Sequence, residues 1–290
     1  MRQDYKALIG ILLMMLVSAL MAVDSVMVRY LSPTVHPFMM AFTRATFGLI
    51  VFLPWIFARK GILKTEFGSE HVVRAALKLA ALICFFFAFA TASLADVTAI
   101  AFTSPLFVTV GAWLFLSEAK NPARIVGLVA GFVGVLIILR PGQQHGVPVG
   151  LIFALAGAFL VAVIQLLLKQ MSQRDSPETL VAWNLIVSAP LALLPALFFW
   201  KMPNGQELML LAVQGALGAF SMFCATKAFS LAEASLIAPF DFLRLPFVAA
   251  LGYFIFAQPV PVATWIGGTI IFGASLLMAR SARRSAISRT

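Results

Sequence analysis

Eight polar side chains, Asp24, Arg44, Lys78, Gln165, Asn184, Gln214, Asp241 and Arg244, interrupt long apolar runs. A charge at mid-membrane depth costs about 2.5–3.5 kcal/mol on insertion scales, so it faces a cavity or a partner. The set offers both signs. Lys78 and Arg244 can hold a carboxylate, and Asp24 and Asp241 an amine. That is the chemistry of recognising a small zwitterion. Asp241 and Arg244 stand three apart in "APFDFLRLPF", residues 238–247, so on one helix they share a face and can neutralise each other. Asp24 stands about one turn before Arg29 and is expected to pair with it or to snorkel. Asp96, Glu118, Lys227 and Glu233 fall at helix ends, where capping or interfacial pairing is expected. His36, His71 and His145 are assigned to connectors, His36 as solvated. Cys84 and Cys224 lie in apolar runs, where packing is their expected role. No His/Cys/acid cluster has metal-ligand spacing, no Walker-type glycine loop is present, and no Ser-His-acid set is visible. The reading is therefore a non-enzyme without cofactor or metal.

The elements that must carry these residues are membrane helices. The chain has 290 residues, is 62% hydrophobic and 11% charged, and has a mean hydropathy of +1.00. A soluble domain cannot hide that much apolar surface. Apolar runs of about 20 residues recur, the length a helix needs to cross a bilayer. Ten spans are expected, near 6–29, 38–57, 72–92, 95–116, 122–140, 148–168, 178–199, 207–229, 233–256 and 261–279. The first has the form of a signal segment, but the repeat described next needs it as a span. With the N-terminus inside, the inner segments hold 15 Lys and Arg and the outer ones only Arg29, Arg140 and Lys201, which places both termini in the cytoplasm. The net charge of +10 is spread over connectors, which argues against nucleic acid as a partner. The five tryptophans fall near span ends, as interfacial residues do.

The halves resemble each other at an offset of 140: Gly10 and Gly150, Gly127 and Gly267, Phe132 and Phe272, Leu136 and Leu276. The third spans align at about 136, "FATASLAD" with "CATKAFSLAE". Five spans per copy is odd, so the second copy enters the membrane inverted. Such repeats are a transporter signature, with the solute site near the midplane between them. The copies are taken as 6–140 and 148–279, followed by a basic cytoplasmic tail, 280–290. The polar list obeys the repeat: Arg44 matches Asn184, and Lys78 matches Gln214. Pro246 falls one position from the counterpart of Pro105, while the segment matching Asp241 to Arg244 is uncharged, Ala101 to Ser104.

Residues 96–139, "DVTAIAFTSPLFVTVGAWLFLSEAKNPARIVGLVAGFVGVLIIL", resemble the end of an EamA domain of the drug/metabolite transporter superfamily. The matching features are Pro105 in mid-helix, Glu118 closing the fourth span, and Gly127, Gly131 and Gly134 in the fifth. The second copy keeps Pro246 and Gly267 but has Gln258 in place of the glutamate. "FTR", 42–44, matches the usual start of the second span. The resemblance covers nearly the whole chain. It implies an all-α protein of ten transmembrane helices in two inverted five-helix repeats, with spans 1–4 and 6–9 forming a basket around a cavity. On that pattern Phe85, Phe86, Phe102, Phe220 and Phe240 would line the cavity, and Arg44, Pro105, Pro246 and Glu118 would serve gating or packing. Glycines of spans 5 and 10 would permit close helix contact, or contact with a second protomer. The family includes exporters of amino acids, notably aromatic ones, and other metabolites.

The sequence thus points to an inner-membrane carrier exporting a small amphipathic metabolite, an aromatic or apolar amino acid before others, by alternating access. A carrier of cationic drugs or nucleotide-linked solutes is the alternative within transport. A membrane scaffold or membrane-embedded enzyme is the alternative outside it. A scaffold would not need mirrored polar residues, and an enzyme would need a convergent acid/base or metal set.

Overall fold

The computed structural model describes residues 2–58, 61–115, 122–140, 147–171, 175–231 and 240–287. Eleven helices are seen among them: α1 Arg2–Leu31, α2 Pro37–Ala58, α3 Gly68–Thr91, α4 Leu94–Ala101, α5 Ser104–Phe115, α6 Pro122–Leu139, α7 Val149–Met171, α8 Pro177–Phe198, α9 Gly205–Leu231, α10 Arg244–Phe256 and α11 Val262–Ile287. Helices are the open-ended solution in hydrocarbon because each satisfies its own backbone. Among the described residues, seven segments are long and apolar enough to cross a membrane, and three shorter apolar helices stand at the fifth, ninth and tenth expected spans.

Local chemistry sets the ends. Pro37 opens α2 and Pro177 opens α8, at the helix position where a missing N–H costs nothing. Before Pro177, Ser176 Oγ accepts the Thr179 N–H at 3.2 Å. Before Pro37, His36 Nδ1 lies 3.4 Å from the Phe38 N–H. Asn204 and Glu207 form a reciprocal capping box at α9, both bonds 2.8 Å.

The packing is symmetric about the repeat. α1 packs on α9 as α7 packs on α3, and α2 packs on α9 as α8 packs on α3. The equivalent pairs α2–α8 and α6–α11 pack on each other. At the α6–α11 crossing, a Cβ on Gly134 would lie 2.8 Å from the Gly267 carbonyl, and one on Gly267 would lie 2.6 Å from the Gly134 carbonyl. Only glycine permits that approach. Of the glycines expected to permit close helix contact, Gly134 and Gly267 therefore meet within one chain, whereas Gly273 meets no neighbour within 4 Å. Gly131 and Gly268 are also taken, against Leu106 and Leu245.

The fourth and ninth spans are broken, although continuous helices were expected. Residues 102–103 form a turn between α4 and α5, and 242–243 form one before α10, 140 positions on. The bonds repeat too: Phe107 N–H to the Thr103 carbonyl, 3.4 Å, and Phe247 N–H to the Leu243 carbonyl, 3.2 Å. Pro105 and Pro246 consequently do not bend a running helix. Each sits in the first turn of a new one, where proline fits. Phe102 and Phe242, equivalent residues, touch at 4.9 Å between ring centroids.

Candidate functional site

Three spans of each repeat, and the same three, line a cavity of about 380 Å³. α1 gives Val17 and Met21; α2 gives Arg44 and Gly48; α3 gives Lys78, Leu82 and Phe85. From the second copy, α7 gives Val161 and Ile164, α8 gives Asn184 and Ser188, and α9 gives Gly218, Ser221 and Met222. Size and apolar character suit a small metabolite held by a few polar groups. Among the described residues, which omit 232–239 of the ninth span, the lining comes from six spans of the eight-span basket expected.

Arg44 is fixed from three sides. Its guanidinium pairs with the Asp24 carboxylate across α1 and α2. It lies over the Phe86 ring at 5.9 Å, and a Cβ on Gly218 would come within 2.8 Å of Nη2. Asp24 thus pairs with Arg44 and not with Arg29, because partners across helices approach more closely than the sequence neighbour. Arg29 instead donates to the Phe89 and Ala90 carbonyls at the end of α3. Lys78 differs. It lines the cavity near Arg44 and Arg74, and no acid or hydrogen-bond partner meets its ammonium among the described residues. Asn184 is 4% exposed and its Oδ1 has no partner; the Ser221 hydroxyl on the same wall has none either.

Of the expected site residues, Arg44, Lys78, Asn184 and Phe85 therefore line one cavity. Phe86 is buried beneath Arg44. Gln214 is buried behind the wall, its amide beside Asp24 but outside full hydrogen-bond geometry. Gln165 is exposed and off the lining, since α7 turns Val161 and Ile164 inward. Phe220 is 49% exposed on the outer side of α9, where apolar rings meet lipid. Phe240 packs against Met14, Val17, Cys224 and Ala228 rather than facing the cavity. Asp241 and Arg244 form no ion pair: the turn at 242–243 separates them, so the three-residue spacing does not place them on one helix face. Arg244 lies over the Phe102 ring at 5.0 Å and within electrostatic range of Asp24. The Ser18 hydroxyl reaches the Phe240 carbonyl at 2.9 Å, tying α1 to this break. Glu118 lies outside the described residues.

Two clusters were missed from the sequence. His71 lies inside α3, fully buried, and not in a connector. Its Nε2 is 2.7 Å from Asp175 Oδ2, which also accepts from Thr65 Oγ1 at 2.7 Å. The ring stacks on Trp183 at 5.1 Å, and Trp183 donates to the Leu63 carbonyl at 3.2 Å. This network joins the α2–α3 connector of one copy to the α7–α8 connector of the other. The buried partner lies 104 positions away, so no local pattern announced it. His36 is not free in solvent either. It stacks on Phe199 at 4.0 Å and 3°, and burial pushes its imidazole below the usual histidine range. Among the described residues no group of His, Cys, Asp and Glu could hold a metal.

Comparison with known proteins agrees with this architecture. The model of the EamA-like transporter family matches twice, over residues 8–140 and 148–280. An S-adenosylmethionine uptake transporter of Rickettsia felis is 34% identical over 98% of this chain and 96% of its own length. A riboflavin transporter of Vibrio cholerae is 32% identical over 80% of this chain and 78% of its own. A pseudopaline exporter of Pseudomonas aeruginosa is 27% identical over 94% and 96%. A solved crystal structure superposes with a TM-score of 0.64 at 19% identity over 97% of this chain and 98% of that one, a likeness of fold. A doubled family match, a cavity walled by the same spans of both copies, and helix breaks 140 residues apart have one common explanation: the chain is a membrane transporter belonging to the EamA-like transporter family.

Proposed function

We propose that the chain is a secondary carrier that moves small amphipathic metabolites through this cavity by alternating access. The observation that carries the reading is the lining of one apolar cavity by matching spans of both copies. Paired breaks beside it supply points where each half can change shape. The relatives named above take S-adenosylmethionine, riboflavin and pseudopaline, and their names include uptake and export. Aromatic amino-acid export loses its first place among the substrates to a broader class, apolar bodies carrying polar or charged groups. The free-acid half of the zwitterion scheme is not supported, because Asp24 is engaged by Arg44 and Asp241 is off the lining. The basic connectors support an inner-membrane setting with both termini cytoplasmic. The exposed faces of α6, with Val126, Val129 and Leu136, suit lipid, and a homodimer through the fifth and tenth spans would have to use such faces. The test is flux into and out of proteoliposomes, with S-adenosylmethionine, riboflavin and the aromatic amino acids as the first panel. Concentration-dependent, saturable movement of one solute is expected. A protein that folds but moves none of them, nor any related metabolite, would sink the reading.

A further inference from the structure

The charges facing the cavity do not balance. Arg44 is compensated by Asp24, whereas Lys78 stands in an apolar wall with Arg44 and Arg74 as its charged neighbours and, among the described residues, no acid beside it. An isolated ammonium in a low-dielectric site is costly, and a bound anion removes that cost. Among the described residues the unpartnered acceptors on this wall, Asn184 Oδ1 and Ser221 Oγ, are neutral, so an added cation finds no counter-charge there. The rest of the lining, including Phe85, Leu82, Met21 and Ile164, is apolar. We infer that the cavity is a monoanion site: Lys78 anchors a carboxylate-type group and the apolar wall holds the body of the solute. The inference rests on the carrier reading for its biological use, but binding alone tests it.

Three solutes with one phenyl body separate the charge classes: 3-phenylpropanoate, phenylalanine and phenethylamine. Thermal stabilisation of the purified full-length protein is measured against the concentration of each. The propanoate is expected to reach half-effect at a concentration about tenfold or more below that of phenethylamine, with phenylalanine between them. Lys78→Gln should erase the advantage and Lys78→Arg should keep it. Should Lys78→Gln not fold, Asn184→Asp supplies an acid on the same wall and should erase the advantage as well. Equal stabilisation by all three, preference for phenethylamine, or no stabilisation by any of them overturns the assignment. Flux of a solute without charge preference would overturn the monoanion site and leave the carrier. Charge-selective binding without flux of any solute would do the reverse.

Discussion

The two copies share a backbone plan and differ in what they place on it. Both break the fourth span of the repeat at the same position, but the first break continues into Ser104 and the second into Arg244. Both start the second span at a proline, yet one is preceded by a stacked histidine and the other by a capping serine. Arg44 and Asn184 occupy equivalent positions and reach the same cavity, one ionic and paired, the other neutral with an open acceptor. Lys78 lines that cavity while its equivalent Gln214 is sealed behind the wall. Symmetry sets where groups can stand, and departures from it set the charge that lines the cavity.

The largest effect is expected where charge is stripped from one copy and not from the other. Arg44→Ala leaves Asp24 buried without its partner, a loss of about 3–5 kcal/mol, while Asn184→Ala should cost far less. Thermal unfolding of the two purified variants reads the difference, and Asp24→Asn in the Arg44→Ala background should restore part of the loss. Next comes the crossing of the glycine helices. Gly267→Val, which drives a side chain into the Gly134 carbonyl, should cost about 1–3 kcal/mol, against almost nothing for Gly273→Ala, which meets no neighbour within 4 Å. Equal melting temperatures for these two variants would refute the close approach. At the helix breaks, Arg244→Gln removes a cation over Phe102 worth about 1–2 kcal/mol, and should lower transport more than Ser104→Ala does.

The smallest effect separates the two helix starts by pH. Ser176→Ala should cost about 1 kcal/mol at any pH. His36 is different because burial disfavours its cation in the folded state, so folding holds fewer protons there than the unfolded chain does. Its contribution is intact above the unfolded value of about 6.5 and is lost as pH falls through the lower folded value. Acidification from about pH 7 to 5 should therefore lower the melting temperature of the native protein more than that of His36→Phe, which keeps the ring stack. An identical pH response of the two proteins would contradict the stacked, neutral imidazole.

The apolar spans and the repeat were legible in the sequence because apolar length, glycine and proline leave one-dimensional marks. Rotation about a helix axis leaves none where a helix is apolar all round. Gln165 and Phe220 were placed inward for their type, and packing turned both outward. The expected Asp241–Arg244 pair assumed a continuous helix, and the turn at 242–243 removed that assumption. Asp24 found its partner 20 residues away across a helix interface, and His71 found Asp175 more than 100 residues away. Such pairs exist only once the spans have been arranged.

The Gly134–Gly267 crossing also constrains how closely the halves can pack. Each glycine is covered by the carbonyl of the other, and Ile138 and Ile271 close in beside them. A bulkier residue at either glycine would press into the facing backbone and these isoleucines. In architectural terms the crossing is a keystone: two residues without side chains fix how near the two repeats can stand.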